Sequence, residues 1–153
     1  APATSHAAGC SEAALFNTIS EENGATTTYA SLTTHLRNSC SSGATIPAGT
    51  VVDLTVTNLG TTRVQIKSAY SSAYAVSGPT AYIYLAPGAT QVFRYRTTVG
   101  VAAGRQLGMM VFATRKSTLA VSEQLVSTPA PYLDSDASNN SWSGTWRNNT
   151  WTQ

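Results

Sequence analysis

The chain has 153 residues, a net charge of +2, 42% apolar residues and only 10% charged residues. A chain of this length forms one domain with a core of its own, and this composition excludes an intrinsically disordered protein. No apolar run approaches the ~18 residues that a transmembrane helix needs, so we expect no membrane span.

The first ten residues, APATSHAAGC, are mostly small. Small residues of this kind are typical of the product side of signal-peptide cleavage, although a tag or a truncation would leave the same start. The chain is also rich in Thr, Ser and Ala, which suits the strands and turns of an extracellular protein. The sequence therefore predicts a secreted protein that acts at the cell surface.

The chain has two cysteines, Cys10 and Cys40. An even pair in a secreted chain predicts one disulfide, and two free buried thiols are the alternative. Closing a loop of about 30 residues would stabilise the fold by roughly 3–4 kcal/mol, because it restricts the unfolded chain. The bond would tie the first 40 residues of the chain to themselves.

The segments between the cysteines have a mixed pattern. Ser11–Glu22 would place Leu15 and Ile19 on one face of a helix that ends at Asn23–Gly24, so we predict a short helix there. In Tyr29–Arg37 the aromatic and leucine spacing suits a helix, whereas the threonines favour a strand. The sequence leaves both structures open for this second segment.

After Cys40 the pattern is that of strands and turns. VVDLTVTN (Val51–Asn58) alternates apolar and polar residues, as a half-buried strand does, and the turns IPAGT and APGA follow their usual chemistry. Further strands are predicted at 63–67, 81–85, 91–99, 107–114 and 119–126. The sequence thus predicts an all-β antiparallel sandwich over 46–140, between a disulfide-closed leader segment (1–45) and a Trp-rich arm (141–153).

Charge is distributed unevenly along the chain. Residues 1–53 hold four acids and one base, and residues 123–153 hold three acids and one base. Residues 54–122 hold no acid and seven bases, namely Arg63, Lys67, Arg94, Arg96, Arg105, Arg115 and Lys116. We predict a basic face that attracts anionic partners or the acidic end of another copy. The alternative is that these bases only cover solvated strand faces, and their scatter does not favour nucleic acid.

Three stretches occur in an order typical of one family: TVTNLGTT (Thr55–Thr62), YLAPGATQVFRY (Tyr84–Tyr95) and DSDASNN (Asp134–Asn140). Together they resemble the immunoglobulin-like bacterial surface domains typified by CARDB, the adhesion-related domain of bacteria. The resemblance covers residues 46–140 and implies an immunoglobulin-like sandwich at the cell surface without catalysis. The chain departs from that pattern in its long segment between Ala113 and Asp134 and in its cysteine-bearing N-terminal region.

Catalytic motifs are not evident in the sequence. The two histidines are His6 and His35, and no GxSxG nucleophile motif is present. We therefore predict that the protein is not an enzyme and holds no cofactor. A secreted hydrolase remains the alternative, and it would require an acid or a nucleophile beside His35.

The stretch PYLDSDASNN offers oxygen ligands at alternate positions, from Asp134, Asp136 and Asn139. Calcium prefers such ligands, so a Ca²⁺ site is one interpretation. The other is turn chemistry, because Asp and Asn side chains bond nearby backbone groups. Asn139 and Asn148 also begin N-x-S/T glycosylation sequons.

The last stretch contains Trp142, Trp146 and Trp151. Three exposed tryptophans would be costly apolar surface, so we expect them at an interface with another copy, against a sugar, or packed on their own domain.

These observations predict a secreted, non-catalytic, structural or adhesive surface protein that assembles with copies of itself into a filament or coat. Its terminal arm would complete a neighbour's sheet. The alternative is a carbohydrate-binding module that contacts surface polysaccharide through its tryptophans and four tyrosines, Tyr70, Tyr74, Tyr82 and Tyr84.

Overall fold

A computed structural model describes residues 10–21, 29–147 and 150–152. The described residues form eleven strands and one turn of 3₁₀ helix. The strands are β1 (Ala13–Glu21), β2 (Tyr29–Asn38), β3 (Val51–Asn58), β4 (Val64–Ser68), β5 (Tyr74–Ser77), β6 (Ile83–Leu85), β7 (Thr90–Thr97), β8 (Gln106–Thr114), β9 (Thr118–Ser127), β10 (Ser141–Arg147) and β11 (Thr150–Thr152). The 3₁₀ helix is Ala137–Asn139.

The strands form two antiparallel sheets. The first sheet has the order β1-β2-β8-β4-β6, and the second has the order β11-β10-β9-β3-β7-β5. This confirms the prediction of an all-β antiparallel architecture. Within the described parts of the chain, no helix is long and apolar enough to span a bilayer.

The core lies between the two sheets and is built largely by alternation of inward and outward residues. On β3, Val52, Leu54 and Val56 are buried, whereas the residues between them are partly exposed. Inward residues of β7 and β10 add large side chains, since Phe93, Tyr95 and Trp146 are fully buried. Burying each of these large apolar groups contributes about 1.5–3 kcal/mol or more.

The prediction of a helix over Ser11–Glu22 is wrong, because this segment forms β1 at the edge of the first sheet. It pairs with β2 in a register that runs from Ala13 opposite Asn38 to Glu21 opposite Ala30. Ala13 and Leu15 are buried and alternate with partly exposed neighbours. Pairing with β2 and burial of one face thus override the helical spacing.

The predicted disulfide is confirmed. Cys10 and Cys40 are bonded, with a Cα–Cα distance of 6.0 Å and 30 residues of separation. The backbone beside the bond is also paired, since Ala44 N donates to the Cys10 carbonyl at 2.9 Å. Gly43 has φ of +125°, and a Cβ there would lie 2.6 Å from the Cys10 oxygen, so the close approach requires glycine.

The C-terminal stretch belongs to the second sheet of its own molecule. β10 pairs with β9 from Ser141 opposite Gln124 to Arg147 opposite Thr118, and β11 pairs with β10. The hydrogen bonds that a free arm would offer to a neighbour are therefore made within the chain along β10.

Candidate functional site

The outward face of the first sheet carries aromatic and cationic side chains. Val64 and Ile66 point into the core, so Gln65 and Lys67 of β4 point outward. In the register of the sheet, Lys67 lies opposite Phe112 of β8, and Gln65 lies opposite Tyr84 of β6. We call this surface the aromatic face and define it by Tyr29, Gln65, Lys67, Tyr82, Tyr84 and Phe112.

Two tyrosines from distant strands stack at the centre of the aromatic face. The rings of Tyr29 and Tyr82 have centroids 4.1 Å apart and planes inclined by 16°. The Tyr29 hydroxyl donates to Gln65 Oε1 at 2.6 Å, which fixes the direction of the ring. The stack therefore has a defined orientation and leaves polar groups beside the rings.

Two cations lie over rings of the aromatic face. Lys67 Nζ is 4.8 Å from the centroid of Tyr82 and 5.7 Å from that of Phe112. The Arg63 guanidinium lies 3.9 Å from the centroid of Tyr84, whose side chain is 57% exposed. Each such contact contributes about 0.5–1 kcal/mol at an exposed site and holds the cation over the face of the ring.

A second aromatic pair lies on the same sheet nearer its β1 edge. Phe16 and His35 stack with centroids 4.5 Å apart, and His35 Nε2 is 2.9 Å from the Thr18 hydroxyl. Burial lowers the pKa of His35 below its ordinary value, which favours the neutral ring. His35 contacts an aromatic ring and a hydroxyl, rather than the acid that a hydrolytic triad uses.

The outward face of the second sheet carries short hydroxyl side chains. It forms a shallow groove across β3, β9 and β10, with two adjoining hollows of about 340 and 370 Å³. We call it the hydroxyl groove and define it by Thr55, Thr57, Ser122, Ser143 and Thr145. At one end Arg94 donates to both carboxylate oxygens of Asp53 at 2.7 Å.

The core contains an acidic residue, Glu123, that was not among the predicted site residues. Glu123 of β9 is 2% exposed and accepts hydrogen bonds from the Thr34 hydroxyl at 2.6 Å and from the Asn17 amide. Burial raises the pKa of Glu123 to about 8, against the lowering effect of the Thr34 bond. A sequence signal existed, because Glu123 shares the inward phase of Val121 and Leu125.

The tryptophans do not form an exposed row. Trp146 is 0% exposed in the core, and Trp142 is half-buried against it. Both point inward from β10, since they lie four residues apart on one strand. Assigning Trp146 to a sugar-binding or intermolecular surface is therefore wrong. The side chain of Trp151 lies outside the described residues.

The four tyrosines predicted to bind sugar with the tryptophans also differ in burial and position. Tyr74 is buried and packs edge-on against Tyr95 at 5.0 Å, so it cannot meet a ligand. Tyr82 and Tyr84 lie on the aromatic face. Tyr70 is 87% exposed in the loop after β4.

The prediction of a single basic face is wrong, because the seven bases of the middle segment do not share one face. Lys67 lies on the outward face of the first sheet, whereas Arg94 and Arg96 lie on that of the second. Arg105 and the Arg115–Lys116 pair lie at opposite ends of β8. The separation follows from alternation along strands that belong to two different sheets.

Three of these bases meet at one end of the sandwich. A cavity of about 200 Å³ lies between the β3–β4 loop and the β8–β9 turn. We call it the basic cleft and define it by its polar lining residues Asn58, Thr61, Thr62, Arg63, Arg115, Lys116 and Ser117. Arg147 ends β10 beside it, opposite Thr118.

The expected calcium ligands are engaged in the connection between β9 and β10. Asp136 Oδ1 accepts from Ser138 N at 2.9 Å, and Asp134 Oδ1 accepts from Asp136 N at 3.2 Å. Asn139 Nδ2 donates to Glu12 at 2.5 Å, which ties this connection to the start of β1. Among the residues described, no three His, Cys, Asp or Glu side chains are grouped to hold a metal. Asn148 lies outside the described residues.

Comparisons with known proteins give distant similarity only. No family model and no curated protein match the chain. It is similar to AvmM, described as catalysing macrocyclization in alchivemycin A biosynthesis, at 10% identity and a TM-score of 0.38, over 91% of this chain and 90% of that one. It is also similar to a family 3b carbohydrate-binding module of Clostridium clariflavum, at 9% identity and a TM-score of 0.30, over 88% and 93% of the two chains.

A third similar structure is a sugar phosphate isomerase of the cupin superfamily from Silicibacter pomeroyi, at 9% identity and a TM-score of 0.20, over 81% and 82% of the two chains. The prediction that the chain is not an enzyme is contradicted, since two of these similar structures, AvmM and the isomerase, are described as enzymes. TM-scores this low assign no reaction and no active-site residue to the chain.

Proposed function

We propose that the protein is a secreted adhesive module that binds surface polysaccharide through the aromatic face. The observation that carries this proposal is the oriented stack of Tyr29 and Tyr82 beside Tyr84, on the solvent side of a sheet. Sugar rings present flat C–H faces that pack on aromatic rings, and their hydroxyls bond to polar groups at the ring edges.

The cost of the arrangement supports a ligand. Short polar residues are enough to solvate the outward side of a sheet, as the hydroxyl groove of this molecule demonstrates. Large rings on that side leave apolar surface in water unless a partner covers it. Gln65 and Lys67 lie among the rings and supply an amide and an ammonium group for sugar hydroxyls.

The test compares tyrosines on and off the aromatic face. Tyr84→Ala and Tyr82→Ala should each weaken binding to a responsive polysaccharide about tenfold, measured by affinity electrophoresis and titration calorimetry. Tyr70→Ala is the matched control, because Tyr70 is more exposed and lies off this face. Equal losses for all three variants, or retention by all three, would sink the proposal.

A second proposal retains assembly with other copies. The basic cleft lies at one end of the sandwich, whereas Glu12, Asp134 and Asp136 lie at the other end, beside Arg105. Opposite charge at opposite ends favours head-to-tail contacts, which form open filaments when no ring closes. Light scattering should then give a mass of several subunits that falls as salt is added. A mass of 16.0 kDa at low salt would exclude it.

We also propose that the sandwich is immunoglobulin-like in its central part. The neighbours β3, β7 and β5 in one sheet, and β4 beside β8 in the other, have the arrangement of the B-E-D and C-F strands of that class. The arrangement around them departs from it, because β9 joins β3 and β2 takes the place beside β8.

A further inference from the structure

We propose that the basic cleft binds the anionic groups of an acidic polysaccharide, so that the glycan on the aromatic face carries uronate carboxylates or sulfate esters. This inference rests on the proposed function and adds the charge class of the ligand. Three observations carry it: the composition of the cleft, the backbone conformation of one lysine, and the continuity between the cleft and the aromatic face.

The lining of the cleft is cationic and hydroxylated. Arg63 comes from the β3–β4 loop, and Arg115 and Lys116 come from the β8–β9 turn, so two separate connections bring three positive charges together. Thr61, Thr62 and Ser117 line the same space, and none of the lining residues is acidic. Guanidinium and ammonium groups with neighbouring hydroxyls are the donors that bind carboxylate and sulfate oxygens.

Both walls of the cleft are held by hydrogen bonds. The buried Asn58 side chain donates to the Thr62 carbonyl at 2.8 Å and to the Leu85 carbonyl at 2.9 Å, and it accepts from Gly60 N at 2.9 Å. On the other wall, the Ser117 hydroxyl donates to the Thr114 carbonyl at 2.7 Å. The cleft is thus a braced opening of about 200 Å³, wide enough for one acidic group and its bound water.

Lys116 has a backbone conformation that favours glycine. Its φ of +59° makes it the one non-glycine residue with positive φ among those described. A lysine in this region costs about 1 kcal/mol relative to the residues that favour it, which are Gly and Asn. A lysine held there at the rim of a cationic cleft is consistent with a role for its charge in binding.

Arg63 joins the cleft to the aromatic face. Its guanidinium lies 3.9 Å from the Tyr84 centroid and also lines the cleft. One sugar residue stacked on Tyr84 would therefore bring an acidic group of the same or the next residue to Arg63.

The experiment compares polygalacturonate with its fully methyl-esterified form, and chondroitin sulfate with desulfated chondroitin whose carboxylates are methyl-esterified, in calorimetric titrations of the whole protein. We expect the acidic form of at least one pair to bind about tenfold more tightly, with an affinity that falls as salt rises. Lys116→Gly should remove most of this preference. It should leave the thermal midpoint equal or higher, because glycine relieves the backbone conformation.

Arg105→Gln is the matched control, since it removes one positive charge at the opposite end of β8 and should leave the preference intact. Equal binding of acidic and neutral forms, with binding lost in Tyr84→Ala, would overturn this inference and keep the proposed function. Binding that is insensitive to Tyr84→Ala, or absent for every glycan, would overturn both. Equally tight, Lys116-dependent binding of single-stranded DNA would overturn the assignment to polysaccharide.

Discussion

The outward faces of the two sheets arise from the same alternation of residues, yet they carry different side chains. The aromatic face holds four large rings with Lys67 above two of them, whereas the hydroxyl groove is lined mainly by Ser and Thr, with Ala120 and Gly144 among them. Since both sheets need only a solvated exterior, the fold does not account for the rings. This difference supports the proposal that the first sheet carries the ligand-binding surface.

We expect the inward side of the second sheet to contribute far more to the free energy of unfolding than its outward side. Trp146→Ala should lower the free energy of unfolding by about 3–5 kcal/mol, because it empties the largest fully buried site of the core. The neighbouring outward residue gives the control: Ser143→Ala should change stability by less than about 0.5 kcal/mol. Urea unfolding followed by fluorescence measures both, and similar losses would contradict this division of roles.

Glu123 should make stability depend on pH. Its pKa is raised from 4.5 to about 8 on folding, so the folded state retains a proton that the unfolded chain loses above pH 4.5. Stability is then greatest below pH 4.5 and falls between pH 4.5 and 8, by about 1.4 kcal/mol per unit at most.

Glu123→Gln should flatten this dependence of stability on pH. Compared with the unsubstituted protein, the variant should gain more stability at pH 8 than at pH 5. Gln124→Glu, on the outward face beside it, should leave the slope unchanged. The thermal midpoint measured across this pH range checks both variants. If the slope of stability against pH is unchanged in Glu123→Gln, the cost of burying the Glu123 carboxylate is not the cause of the pH dependence.

A smaller effect is expected from the packing on the aromatic face. Phe112 is half-buried beneath Lys67, so Phe112→Ala should cost about 1–2 kcal/mol of unfolding free energy. Ser122→Ala, in the hydroxyl groove, should cost less than about 0.5 kcal/mol. Equal values from chemical denaturation would mean that the aromatic face contributes to ligand binding alone.

The smallest effect should come from the ion pair at the end of the hydroxyl groove. Asp53→Asn breaks the contact with Arg94, and we expect no measurable change in stability, since exposed pairs contribute little. Glycan binding should also be unchanged, because the pair lies on the second sheet. A loss of binding in this variant would relocate the ligand to the groove.

The sequence predicted β3, β4, β6, β7, β8 and β9, because one buried face makes their alternation visible. It did not predict β5 as a strand, and it assigned β10 and β11 to an arm. It failed for β1, where a four-residue spacing fits both a helix and a strand, and where Asn17 occupies an inward position for its bond to Glu123. Hydrogen bonding to a buried acid thus hides the apolar pattern that would have identified the strand.

The candidate site was less predictable for a different reason. Tyr29 and Tyr82 come from β2 and from the segment before β6, which two other strands separate in the sheet. The basic cleft likewise joins two loops that are distant in the sequence. Local patterns indicate which side of a strand is exposed, but the order of strands decides which exposed residues meet.

The disulfide between Cys10 and Cys40 also determines how the molecule would respond to mechanical load. A pulling force applied to the chain before Cys10 passes through the covalent bond to Cys40 and bypasses the hydrogen bonds of β1 and β2. The residues between the two cysteines, which lie 30 positions apart, cannot extend while the bond is intact, which withholds roughly 100 Å of contour length at about 3.4 Å per residue. An adhesive module tethered through this segment would transmit tension to the start of β3 with its first two strands still folded.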